Sequence, residues 1–125
     1  MLKNVLSILI AFAILVGGTV YEQTVVLKQF DELSQEVKTC IEQAESDTLT
    51  IDKVYALQDN WESKKKYLHA FLPHNEIKEI GLWISEAISY TAYENEEELV
   101  DKLQVLYDLA MQVPENFKIR LNNIF

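Results

Sequence analysis

Val5 to Tyr21, VLSILIAFAILVGGTVY, and the residues that follow it from Gln23 to Glu45, QTVVLKQFDELSQEVKTCIEQAE, form the stretch on which the fold turns. The first part carries no charge and sits behind a single Lys3. As a helix rising about 1.5 Å per residue it covers about 26 Å, the short end of what a bilayer's hydrocarbon core requires. In the second part Val26, Phe30, Leu33, Val37, Cys40 and Ala44 recur at alternating spacings of four and three, which is a one-sided helical stripe. No breaker separates the two parts. The spacing therefore predicts that a membrane helix runs on, or bends slightly, into the first helix of a domain.

A secretory signal competes for the same apolar residues, with Val16-Gly17-Gly18 as its small-residue cleavage site. Against cleavage, the apolar run is longer than most signal cores, no Ala-x-Ala follows it, and the helical pattern resumes at Val26. The reading adopted is an uncleaved anchor over residues 1–22 and a domain over residues 23–125. Lys3 before the span and Glu22 directly after it place the N-terminus in the cytoplasm and the domain outside, at the cell membrane. Gly17 and Gly18 permit close helix approach, although no Gly-x-x-x-Gly is present.

Beyond the span about one hundred residues remain, enough for one small domain with its own core. All twenty acidic residues and ten of the eleven basic ones lie from Glu22 onward, for a net charge of −10 there. Such a surface repels phosphate backbones and anionic headgroups, so no nucleic acid partner is expected. The short run Lys64-Lys65-Lys66 reads as a solvated face, with Glu62 four residues before Lys66. Cys40 is the only cysteine and falls on the apolar stripe, which makes it a small buried residue and excludes an internal disulfide.

Three further helices follow from pattern and punctuation. Thr48 or Thr50 caps one that carries Ile51, Val54, Leu57, Trp61, Leu68 and Phe71 and stops before Pro73. Asn75 is the expected cap of the next, with Glu76 in its first turn and Ile77, Ile80, Ile84, Ala87 and Thr91 on one side. Asn95 before Glu96, Glu97 and Glu98 has the form of a capping box, and Leu99, Leu103, Leu106, Ala110 and Val113 form the last stripe. Pro114 ends or kinks that helix, leaving Phe117, Leu121 and Ile124 for a short terminal helix. Period-two alternation persists nowhere. The fold class is all-α: an N-terminal transmembrane helix continuing into a small antiparallel bundle of about four helices plus a short C-terminal helix. The alternative is a tetratricopeptide-type repeat, for which the paired helices of similar length and the positions of Tyr55, Trp61, Tyr93 and Leu99 speak.

The runs Trp61-Glu62-Ser63-Lys64-Lys65-Lys66 and Phe71-Leu72-Pro73-His74-Asn75-Glu76-Ile77 with Ile80, then Val113-Pro114-Glu115 and Leu121-Asn122-Asn123-Ile124-Phe125, resemble an uncharacterised domain-of-unknown-function family. Its members are short single-span membrane proteins of Gram-positive bacteria with a helical extracytoplasmic portion. The resemblance extends over the whole chain, anchor included. It implies location and architecture, and it suits a protein partner that is itself a membrane protein; it implies no activity.

His69, His74, Glu76 and Glu79 cluster near Pro73, but two histidines five apart across a helix break have no fixed mutual geometry, so no metal is expected and His74 reads as a turn-bridging group. The carboxylates lie opposite the apolar stripes, where nothing raises a pKa for acid–base work. The serines lack a Gly-rich elbow, and with glycine only at 17, 18 and 81 no phosphate-cradling loop can be built. No catalytic residue, cofactor or enzymatic activity is expected. Leu82, Trp83 and Tyr90 lie off the main stripe of the third helix and are the expected partner surface, against the alternative that the first helix covers them. Pro73, His74, Asn75 and Glu76 form the turn motif that a ligand or ion sensor would use. The functional expectation is a membrane-anchored, non-catalytic interaction or assembly module. Its rivals are that extracytoplasmic sensor and a secreted helical protein.

Overall fold

The computed structural model describes residues 1–124; Phe125 and the side chain of Ile124, which belong to the terminal apolar pattern, lie outside the described residues. Four helices make up the described residues: α1 (Leu2–Glu45), α2 (Ile51–Leu68), α3 (His74–Ala92) and α4 (Glu96–Ile124). Helix α1 is unbroken over 44 residues, so the apolar run and the stripe behind it share one axis. Its side chains up to Gly18 are exposed, coverage begins at Thr19, and Val26 is the first fully buried residue. From there Phe30, Leu33, Val37, Cys40 and Ala44 turn one face into the core.

Each helix packs on the next and α4 closes back on α1, giving a ring with a single core at its centre. Short turns make neighbours antiparallel. The close packing of the first helix against the last is what a four-helix bundle requires and an open repeat stack does not. Core positions from α2 (Val54, Leu57, Trp61, Leu68), α3 (Ile77, Ile80, Ile84, Ala87) and α4 (Leu99, Leu103, Leu106, Ala110, Val113, Phe117) are all buried.

The helix ends have local causes. Thr50 adopts an extended conformation (φ −102°, ψ 156°) and its hydroxyl accepts the Lys53 N–H at 3.4 Å, as a cap should. At the head of α4 the Asn95 side chain accepts the Glu98 N–H at 3.3 Å. The reciprocal arm of a capping box is absent, because the Asn95 N–H bonds instead to the Tyr90 carbonyl at 3.0 Å. After α1 and α3 the chain reverses through Asp47 (φ 59°) and Glu94 (φ 57°), left-handed positions more often held by glycine.

Three details depart from expectation. Helix α2 ends at Leu68, so Phe71, expected on it, lies in the turn that follows. Helix α3 begins at His74, with Pro73 in the cap position and no side-chain cap, so Asn75 lies inside the first turn. Proline suits that place, since its fixed φ of −58° leads into the helix. The terminal segment is not a separate helix: α4 runs through Pro114, which is buried. Burial of Val113 and Phe117 on either side holds the helix together across the missing N–H.

Candidate functional site

The three residues expected on a partner surface divide between two places. Trp83 and Tyr90, two turns apart on α3, are half-buried on the seam with α4. There Lys102 of α4 extends its ammonium over both rings, 5.3 Å from the Trp83 centroid and 5.8 Å from that of Tyr90. The helix covering them is therefore the fourth, not the first. Leu82 points about 100° away, as one residue of helix dictates, and is 57% exposed.

The turn motif gathers at the opposite end of α3. Helix α2 ends at Leu68, whose carbonyl accepts the N–H groups of Phe71 and Leu72, each at 3.0 Å. Leu72 is tucked into the core and Pro73 opens α3. The imidazoles of His69 and His74 stack across the turn, 5.8 Å between centroids and 18° from parallel. Asn75 is exposed. Glu76 accepts both guanidinium nitrogens of Arg120 at 3.1 and 3.2 Å, which joins α3 to α4. Among the described residues no three His, Cys, Asp or Glu groups converge as a metal set.

Between α2 and α3 a groove runs from Gln58 to His69 on one side and from His74 to Ser85 on the other. Trp61 forms its floor, packed against Phe30 at 6.2 Å and 56°. Its indole N–H is buried without a partner among the described residues, facing the flank of Gly81, where a Cβ would lie 3.7 Å away. Helical carbonyls there are committed to their own helix, so packing outweighs the lost hydrogen bond.

The α1–α2 seam is polar at its rim, which sequence reasoning missed. Lys64 donates to Glu32 at 2.6 Å and to Gln29 at 3.0 Å, and Asn60 donates to both oxygens of Glu36 at 3.0–3.1 Å. Lys64 is thus drawn out of the solvated run. Glu62 pairs with Lys65 at 3.2 Å rather than with Lys66. The hydrogen bond from Lys64, with its charge, holds the Glu32 carboxyl below its ordinary 4.5. Cys40 is fully buried, and desolvation pushes its thiol up to about 11.

These features define a class: an antiparallel four-helix bundle whose first helix projects an uncovered apolar segment, long and apolar enough to cross a membrane. The chain belongs to the family described as "Domain of unknown function (DUF4363)", whose model matches residues 19–124. The match begins where coverage of α1 begins and leaves most of the apolar segment outside it, so it spans the bundle rather than the whole chain. No curated protein and no solved structure matches the chain.

Proposed function

We propose that the protein is a single-pass membrane protein whose helical bundle, outside the cytoplasm, works by contact with another protein, itself a membrane protein, and without catalysis. The observation that carries the reading is α1: one rigid helix supplies both the uncovered apolar segment and a wall of the bundle core. In water, the bare side chains of Ile8, Leu9, Phe12 and Ile14 would form an apolar surface that a soluble monomer rarely leaves open. Lipid around them removes that cost. Lys3 at one end and Glu22 at the other favour a cytoplasmic N-terminus.

Partner contact is sought first on α3, where Leu82 stands exposed beside the Trp83–Tyr90 seam. In alkaline-washed membranes the full chain should stay in the pellet with its apolar segment intact by mass, and an Ile10→Lys/Ile14→Lys variant should leave it. A mass beginning after Gly18 would replace the anchor with secretion. A photo-crosslinker at Leu82 should capture a discrete membrane protein; its failure to crosslink in intact membranes would remove the proposed contact face.

A further inference from the structure

The net charge of −10 conceals a division between the two ends of the bundle. Levels along the bundle can be set from its own contacts. Leu99 and Ala44 line one depression at the end far from the apolar segment. Counting twenty-one residues down each antiparallel helix brings Arg120 of α4 level with Gln23 of α1. Arg120 in turn grips Glu76 in the first turn of α3. On α2, Lys64 meets Gln29 and Glu32, so the turn after Leu68 lies about two helical turns lower, near Thr24. The 69–73 turn, the start of α3 and the last turns of α4 therefore share one level, within a turn of Tyr21, where the apolar segment stops.

Residues 22–27, 65–79 and 116–123, which form this end, carry five cations (Lys65, Lys66, Lys78, Lys118, Arg120) against three carboxylates. The far end, residues 39–55 and 86–102, carries ten carboxylates against two lysines. Formal charge over these residues changes from +2 to −8 along the bundle axis, with the histidines taken as neutral; counting Glu62 and Glu115, which pair with Lys65 and Lys118 from just above, the near end is neutral against the acidic far end. Lys66 and Lys78 are exposed and form no ion pair among the described residues. Tyr67, 66% exposed, and Ile119, 57% exposed, belong to the same end and suit the polar–apolar boundary of a bilayer.

We propose that this end seats on the headgroup layer of an anionic bilayer, with the acidic end repelled outward, so that the bundle stands upright on the membrane. The proposal rests on α1 spanning that membrane. The headgroup layer is about 5–8 Å deep on each side, which matches the three or four residues of α1 rise that separate Tyr21 from the 69–73 turn. Each lysine near such a surface contributes enough to shift a seated-to-lifted ratio about fivefold.

The test uses the full chain with Cys40→Ala in vesicles of phosphatidylcholine, with and without phosphatidylglycerol, and a fluorophore on single cysteines at Ile10, Tyr67 or Glu97. Mid-chain quencher lipid should quench the Ile10 label. Headgroup quencher should quench the Tyr67 label strongly only with phosphatidylglycerol, and the Glu97 label in neither. Lys66→Gln and Lys78→Gln should each lower the seated-to-lifted ratio read at Tyr67 about fivefold. An Ile10 label quenched by mid-chain lipid beside a Tyr67 label no more quenched than Glu97 would overturn the seating and leave the span. An Ile10 label that escapes mid-chain quencher would overturn both.

Discussion

Arg120, near the end of α4, and Glu76, in the first turn of α3, meet as a two-pronged pair: Nη1 donates to Oε1 at 3.1 Å and Nη2 to Oε2 at 3.2 Å. The bond fastens the last helix to the start of the third, at the end of the bundle where α1 leaves it. Glu76 also lies where a helix dipole favours negative charge. Both groups are partly solvated, so the pair is worth about 1 kcal/mol rather than several.

Glu76→Gln should therefore lower stability by about 1 kcal/mol at low salt, through loss of the charge-assisted pair and the dipole contact together. The deficit should shrink when urea unfolding is repeated in high salt, because the pair faces solvent. A deficit unchanged by salt would mean that shape at the site, not charge, carries the contribution.

Lys64 and Glu32 give a pH signature. The folded-state pKa of Glu32 is depressed below 4.5 by its hydrogen bond from Lys64, so the stability it contributes is full above the unfolded value and is lost as pH falls through the folded one. Half-exposure of Glu32 keeps the effect small. Lys64→Met should lower the urea midpoint at neutral pH, and its gap from wild type should narrow once pH drops below about 4.5. Parallel midpoints across that range would count against the pair.

Much of this architecture was legible because helical burial has a local period. Val26 through Ala44, Ile77 through Ala87 and Leu99 through Val113 announce which face is inside from spacing alone, and all of the named stripe residues are buried. What spacing does not carry is which neighbour supplies the cover. Trp83 and Tyr90 are off the α3 stripe, and their burial depends on where Lys102 of α4 lies across the seam. The Lys64 bridge likewise depends on the register of α2 against α1, to which Glu62 and Lys66 are blind. At Asn75 two signals competed, and the dihedral fixed by Pro73 started α3 one residue before the side chain that could have capped it.

Gly81 faces the buried indole of Trp61 without needing glycine's freedom, since no glycine has positive φ. A Cβ there would meet Trp61 Nε1 at 3.7 Å, an ordinary van der Waals distance. Gly81→Ala should stabilise the protein by about 0.5–1 kcal/mol, because alanine loses less backbone freedom in a helix interior. Gly81→Leu should do the reverse by forcing α2 and α3 apart. Destabilisation by alanine would show that the two helices approach more closely than this spacing.

Cys40 should behave as an inert thiol. With its side chain buried and its pKa raised to about 11, little thiolate forms at neutral pH and none is accessible to reagent. Alkylation should be slow in the folded protein and accelerate sharply in urea, following unfolding. Rapid labelling under native conditions would mean that α1 opens locally around Val37 to Ala44.

Pro114 is the position where local preference and packing disagree most. Inside a helix it removes one hydrogen bond and crowds the carbonyl of Ala110, a cost of about 3 kcal/mol relative to alanine. Its ring is buried between Val113 and Phe117, and replacing it with alanine forfeits about two methylenes of apolar burial, about 1.6 kcal/mol. The propensity gain exceeds that loss, so Pro114→Ala should raise stability by about 1 kcal/mol in urea unfolding. Pro114→Gly should not, because glycine restores the N–H but loses the burial and adds about 1 kcal/mol of helix cost. If alanine lowers stability instead, the course that proline imposes on α4 is what fits its last turns against α1 and α3. In that case the Arg120–Glu76 bond should weaken with it, and Glu76→Gln would cost less in the alanine background than in the wild type.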